Sequence, residues 1–186
     1  QALGSVYLEI KNNPEAAIVL YQTAAVLNPE CDESQLAIGD TYFSMEEYDN
    51  AIRAYCDAIK INPENAKAYC KCGMALWEKD YTEEAIVAYH KAIDLNPDYA
   101  IAHNNLGVIY LDDIGNTHEA IALFEKAISE NKSYTLAYFN LGRAYAITGE
   151  NTKAAKNFQR ALDLNVLTGE LEEEDILNRL HKLFEV

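Results

Sequence analysis

Residues 66–99 read AKAYCKCGMALWEKDYTEEAIVAYHKAIDLNPDY, and this stretch decides the fold. Its apolar residues fall into two runs at helical spacing. Ala68, Tyr69, Cys72, Ala75 and Leu76 make one stripe, and Ala85, Ile86, Tyr89, Ala92 and Ile93 make the next. Asn96-Pro97 closes the second run, because the residue before a proline is pushed out of the helical region. A short polar break between the runs makes the two helices antiparallel neighbours. The whole unit then recurs. Pro29, Pro63 and Pro97 are spaced 34 residues apart; Gly39, Gly73 and Gly107 keep the same period, and Gly142 comes one residue late.

Stacking the chain on those glycines aligns the rest. Leu3-Gly4, Ile38-Gly39, Cys72-Gly73, Leu106-Gly107 and Leu141-Gly142 share one column. Tyr7, Tyr42, Leu76, Tyr110 and Tyr145 follow three residues later. Ala17, Ala51, Ala85, Ala120 and Ala154 make the next column, then Tyr21, Tyr55, Tyr89, Phe124 and Phe158, then Ala24, Ala58, Ala92, Ala127 and Ala161. Small residues in fixed columns imply that two helices approach closely there. Polar stretches such as Glu46–Asn50 and Gly149–Thr152 read as the breaks between helices. One helix pair cannot bury its own stripe, so stacking of neighbours has to supply a continuous core.

These columns resemble the tetratricopeptide repeat, whose pattern is an aromatic, Leu-Gly, Tyr, Ala, an aromatic, Ala and Pro on a 34-residue frame. The resemblance implies an all-α fold, a right-handed α-solenoid of antiparallel helix pairs with a C-terminal capping helix. The frame divides the chain into a partial first repeat at 1–31 and full repeats at 32–65, 66–99, 100–134 and 135–168, all one solenoid domain. The fourth carries one extra residue near Asp113-Ile114-Gly115 and has Lys132 where Pro is expected; the fifth has Val166 there. Gln1 falls inside a first helix of the frame, which points to a piece of a longer protein. From 169 to 186 the frame fails. Glu170–Asp175 is acidic, and Ile176, Leu177, Leu180, Leu183 and Phe184 share one helical face, as a capping helix requires.

Composition narrows the function. The chain has 186 residues, a net charge of −15 and 49% hydrophobic residues, enough to bury a core. Such acidity argues against nucleic-acid binding through a general basic surface. No apolar run reaches the length of a membrane span. Cys31, Cys56, Cys70 and Cys72 are too few and too irregular for a disulfide framework, and unpaired thiols lean toward the cytoplasm. Cys70 and Cys72 point about 200° apart on a helix and cannot chelate one ion together. His90, His103, His118 and His181 fall at unrelated repeat positions, and His103 occupies a column held by Tyr69 and Tyr138. No nucleophile elbow, phosphate loop or zinc spacing is present. An enzyme, a metal and a cofactor are therefore not expected.

The resemblance implies a concave groove lined by the first helices, with another protein or peptide as partner. Matched positions place Asp40, Phe43, Lys67, Cys70, Lys71, Met74 and Trp77 there, then Asn104, Asn105, Val108 and Leu111, then Phe139, Asn140 and Arg143. Lys67, Lys71 and Arg143 suit a carboxylate, Met74 and Trp77 an apolar side chain, and the asparagines a peptide backbone. Relatives that clamp acidic chaperone tails use further Lys and Asn residues where this chain has Gln1, Ser5 and Ala37, so that clamp is incomplete. Two rivals to the adaptor remain open. One is a self-assembling module that forms homo-oligomers through its terminal repeats; the other is the regulatory or recruiting arm of a larger enzyme or chaperone-associated protein.

Overall fold

The computed structural model describes residues 13–169 and 171–183. Leu3-Gly4, Tyr7, Gln1, Ser5, Glu170 and Phe184, all used in the sequence reading, lie outside the described residues. Among the described residues there are ten α-helices and no strand. They are α1 (Pro14–Leu27), α2 (Asp32–Ser44), α3 (Tyr48–Ile61), α4 (Ala66–Trp77), α5 (Thr82–Leu95), α6 (Ala100–Asp112), α7 (Thr117–Glu130), α8 (Thr135–Ile147), α9 (Asn151–Thr168) and α10 (Glu173–Lys182). They fall into two compact units, one ending at Asn96 and the other starting at Pro97.

In the first unit α2 packs on α1 and α3, and α4 packs on α3 and α5. Its core is Leu36, Ala51, Tyr55, Ala58, Ala68, Cys72 and Ala75. In the second unit α6 packs on α7, α8 on α7 and α9, and α10 on α9. Phe124, Leu141, Ala144, Phe158 and Ala161 form its core, and Ile176 of α10 joins them fully buried. The glycine column is where paired helices touch. A Cβ built on Gly107 would lie 2.7 Å from Cε1 of Phe124, and one on Gly142 would lie 2.7 Å from Cδ1 of Phe158.

The breaks are shorter than the sequence suggests. The helices resume at Tyr48 and Asn151, because one residue in each break turns the chain sharply. Glu46 and Asp80 do this at φ 60°, Gly115 at 74° and Gly149 at 76°. Only glycine takes this left-handed conformation without steric cost, so Glu46 and Asp80 hold it under strain.

Helix ends depend on asparagine more than on proline. Asn28, Asn62, Asn96 and Asn131 all cap at φ between −131° and −139°, although Lys132 follows the last of them. At Asn165 the rule breaks, and α9 runs on to Thr168 before Gly169 ends it at φ 61°. The Asn165 side chain instead accepts a hydrogen bond from the Leu171 N–H at 2.9 Å and donates to the Leu171 carbonyl at 2.8 Å. That bracket folds the chain back so that α10 can lie on α9. Glu173, Glu174 and Asp175 occupy the first turn of α10 and Arg179, His181 and Lys182 its last turn, both favourable to the helix dipole.

Candidate binding surfaces

In the first unit, Phe43 of α2 and Lys71 and Met74 of α4 meet at one small cavity of about 170 Å³, with Asp40 and Tyr55. The Lys71 ammonium lies 2.7 Å from an Asp40 carboxylate oxygen, and the Tyr55 hydroxyl donates to the same oxygen at 2.9 Å. Burial pushes the Tyr55 phenol far above its usual range, and the Asp40 charge adds to that. Lys71 is therefore already ion-paired within the fold. Lys67, one turn earlier, is exposed and has no ion-pair partner among the described residues. Trp77 ends α4 half-buried, and Phe43 packs edge-on to Tyr48 with ring centroids 5.4 Å apart. Cys70, placed on this surface by the sequence frame, is buried.

In the second unit the asparagines form a continuous polar chain. Asn140 donates to Asn104 at 3.0 Å, and Asn104 donates to Asn105 at 3.1 Å. Arg143 donates to Asn140 at 3.2 Å and to Asp112 at 2.7 Å. Asn104 and Asn140 are buried, which leaves Asn105 as the amide at the surface. Leu111 and Phe139 are buried as well and act as core. Removing Arg143 or Asn140 would break a mostly satisfied buried network, so both residues serve packing as well as any ligand.

His103 is buried, and its Nε2 lies 2.8 Å from the Pro97 carbonyl, which fixes the proton on that nitrogen. That bond holds the ring inside the fold. Among the described residues no group of three or more His, Cys, Asp or Glu gathers to hold a metal ion, and no helix is long and apolar enough to cross a membrane.

Two features escaped the sequence reading. The thiols of Cys56 of α3 and Cys72 of α4 influence each other across the helix pair. Interaction with the Cys72 thiol holds the Cys56 thiol below its ordinary range, against its burial, with Lys60 helping; the same interaction and burial push Cys72 up. Sixteen residues separate them, so no local motif announces the pair. The second feature is a cavity of about 520 Å³ beside Arg143, walled by α8, α9 and α10. The basic last turn of α10 was its one visible signal.

Comparison with known families gives this arrangement its place. Residues 39–80 and 82–113 match the family model described as TPR repeat, and residues 111–165 match the one described as tetratricopeptide repeat. The chain belongs to the tetratricopeptide repeat family. As a tetratricopeptide repeat chain it has an all-α repeat-solenoid fold, in a family of protein-interaction modules that are generally not enzymes. It is similar to the crystal structure of MamA, at 31% identity and a TM-score of 0.72, covering 88% of this chain and 95% of that one. It shares its fold with TTC0263, a thermophilic TPR protein in Thermus thermophilus, at 20% identity, TM-score 0.73, and 96% and 94% coverage. It also shares it with YrrB, a TPR protein with an unusual peptide-binding site, at 22% identity, TM-score 0.66, and 95% and 86% coverage. No curated protein sequence matches the chain significantly.

Proposed function

We propose that this tetratricopeptide repeat chain is a non-enzymatic scaffold that binds a partner protein or peptide along the inner faces of its first helices. The repeat borders are those of the 34-residue frame. The observation that carries the reading is the convergence of Phe43, Lys71 and Met74 on one cavity in the first unit, with Lys67 exposed one turn before Lys71. A ligand carboxylate would take charge-assisted hydrogen bonds from Lys67. Phe43, Met74 and Trp77 would take an apolar side chain, and Asn105 would serve a peptide backbone in the second unit. Cysteines that form no disulfide among the described residues fit a reducing, cytoplasmic setting.

The test is a pull-down with the chain as bait, followed by titration of the recovered partner. Lys67→Glu and Trp77→Ala should each weaken binding at least tenfold, with the lysine effect shrinking as salt rises. Loss on Lys91→Glu of α5 with none on either inner variant would move the binding to the outer helices and refute the reading. Self-assembly is the second reading, because α1 leaves Val26 and Leu27 79% and 81% exposed and α9 leaves Val166 and Leu167 80% and 84% exposed. Light scattering against concentration separates it from a monomeric adaptor.

A further inference from the structure

Among the described residues, the 520 Å³ cavity of the second unit is lined by three cations, Arg143 of α8 and Arg179 and Lys182 of α10, and by no carboxylate, although Asp112 and Asp175 bond the two arginines. Its apolar wall includes Ile147, Phe158 and Leu183. Three of the chain's 15 lysines and arginines thus converge on one cavity in a molecule of net charge −15. Ile147, 63% exposed at the end of α8, gives it an apolar rim.

Arg179 is arranged to receive a ligand. Only its Nε bonds Asp175, at 3.1 and 3.2 Å to the two oxygens, and its guanidinium carbon lies 5.1 Å from the centre of the Phe139 ring. Both Nη groups therefore remain without a partner among the described residues, on a fork whose plane is already held from behind. A guanidinium in that state binds a carboxylate through two parallel N–H bonds. Lys182 has no ion-pair partner among the described residues and lies three residues on, on the same side of α10. Arg143 is partly committed to Asp112 and Asn140. Cations standing on two different helices suit two carboxylates rather than one, with an apolar side chain between them.

We propose that this cavity is a docking site for a short acidic segment of a partner protein, an apolar residue flanked by Asp or Glu side chains. The capping helix then does more than seal the last repeat: it supplies two of the three cations. The site has no lining residue in common with the first-unit cavity, and of the inner-face residues it uses only Arg143.

The probe is the tripeptide N-acetyl-Glu-Leu-Glu-amide, titrated to 10 mM into the full chain labelled with ¹⁵N. Saturable shifts are expected at Ile147, Leu183 and the Arg179 Nε–H, weakening several-fold between 50 and 300 mM NaCl. N-acetyl-Gln-Leu-Gln-amide should bind at least tenfold more weakly. Arg179→Gln should cost at least tenfold in affinity, and Lys182→Gln, which breaks no ion pair among the described residues, at least threefold with the far-UV circular dichroism spectrum unchanged. Absence of shifts at these residues, equal binding of the neutral peptide, or binding only of N-acetyl-Gln-Leu-Gln with a free C-terminus would overturn the proposal. Shifts confined to Lys67, Met74 and Trp77 would overturn it too while leaving the inner-face reading intact.

Discussion

Replacing Gly107 by alanine adds one methyl group where α6 lies on α7. That methyl carbon would sit 2.7 Å from Cε1 and 2.9 Å from Cδ1 of Phe124, a fully buried ring. Two carbons rest near 3.5–4.0 Å, so ring or helix must give by most of an ångström. Overpacking of this kind costs typically about 1–3 kcal/mol. Alanine in a helix interior returns about 1 kcal/mol relative to glycine. The net expectation at Gly107 is a loss on the order of 1 kcal/mol. At Gly73 the added carbon would meet Cε1 of Tyr89 at 3.1 Å, so a shift of a few tenths suffices and the propensity gain should cancel the loss or exceed it. Urea denaturation followed by far-UV circular dichroism compares the two variants, and a Phe124→Leu background should rescue Gly107→Ala. A Gly107→Ala protein about 1 kcal/mol more stable than the parent would show that the glycine column is no helix contact, and the packing argument would fall.

Ile176→Ala should lower stability by about 2–5 kcal/mol, because the side chain is fully buried between α10 and the core, and amide exchange along α10 should rise with it. Asp80→Gly should stabilise by roughly 0.5–1 kcal/mol by relieving a left-handed backbone, and Gly149→Ala should cost about 1 kcal/mol for the opposite reason; thermal melts decide both. Burial raises the Asp32 carboxyl, yet hydrogen bonds led by Asn65 at 2.6 Å outweigh it and hold the group below its ordinary 3.8. Its contribution is present above that value and lost as pH falls through the depressed one, so Asp32→Asn should flatten the acid limb of stability against pH. Iodoacetamide should alkylate Cys56 at lower pH than it does an ordinary thiol such as free N-acetylcysteine, and Cys72→Ala should move Cys56 back toward ordinary thiol behaviour, as mass spectrometry of the labelled peptides would show.

Helix positions were legible because Gly107, Phe124 and Ala127 each stand in a column whose size is dictated by a helix contact, and the same pair of columns meets in each repeat even though the closeness of the contact varies. The ends of helices were less legible. Asn131 caps α7 without a proline, and Asn165 fails to cap α9 although the frame puts an asparagine there too, because its amide finds Leu171 instead. Site residues were legible as positions and not as states. The frame placed Lys71 and Arg143 on inner faces, but their partners Asp40 and Asp112 stand 31 residues earlier in the chain, beyond any local pattern. The same holds for Asn104 and Asn140, whose mutual bond links two helices and makes them interior. Arg179 and Lys182 escaped because the terminal helix lies outside the frame.

The division of the chain into two units has a spectroscopic consequence. The single tryptophan, Trp77, stands on α4 in the first unit, whereas the second unit carries tyrosines and phenylalanines alone among its aromatics. Emission excited at 295 nm therefore reports on one half of the molecule, and far-UV ellipticity on both. Overlaying the two melting curves of one sample measures how far the halves come apart as a single cooperative body, with no label and no mutation.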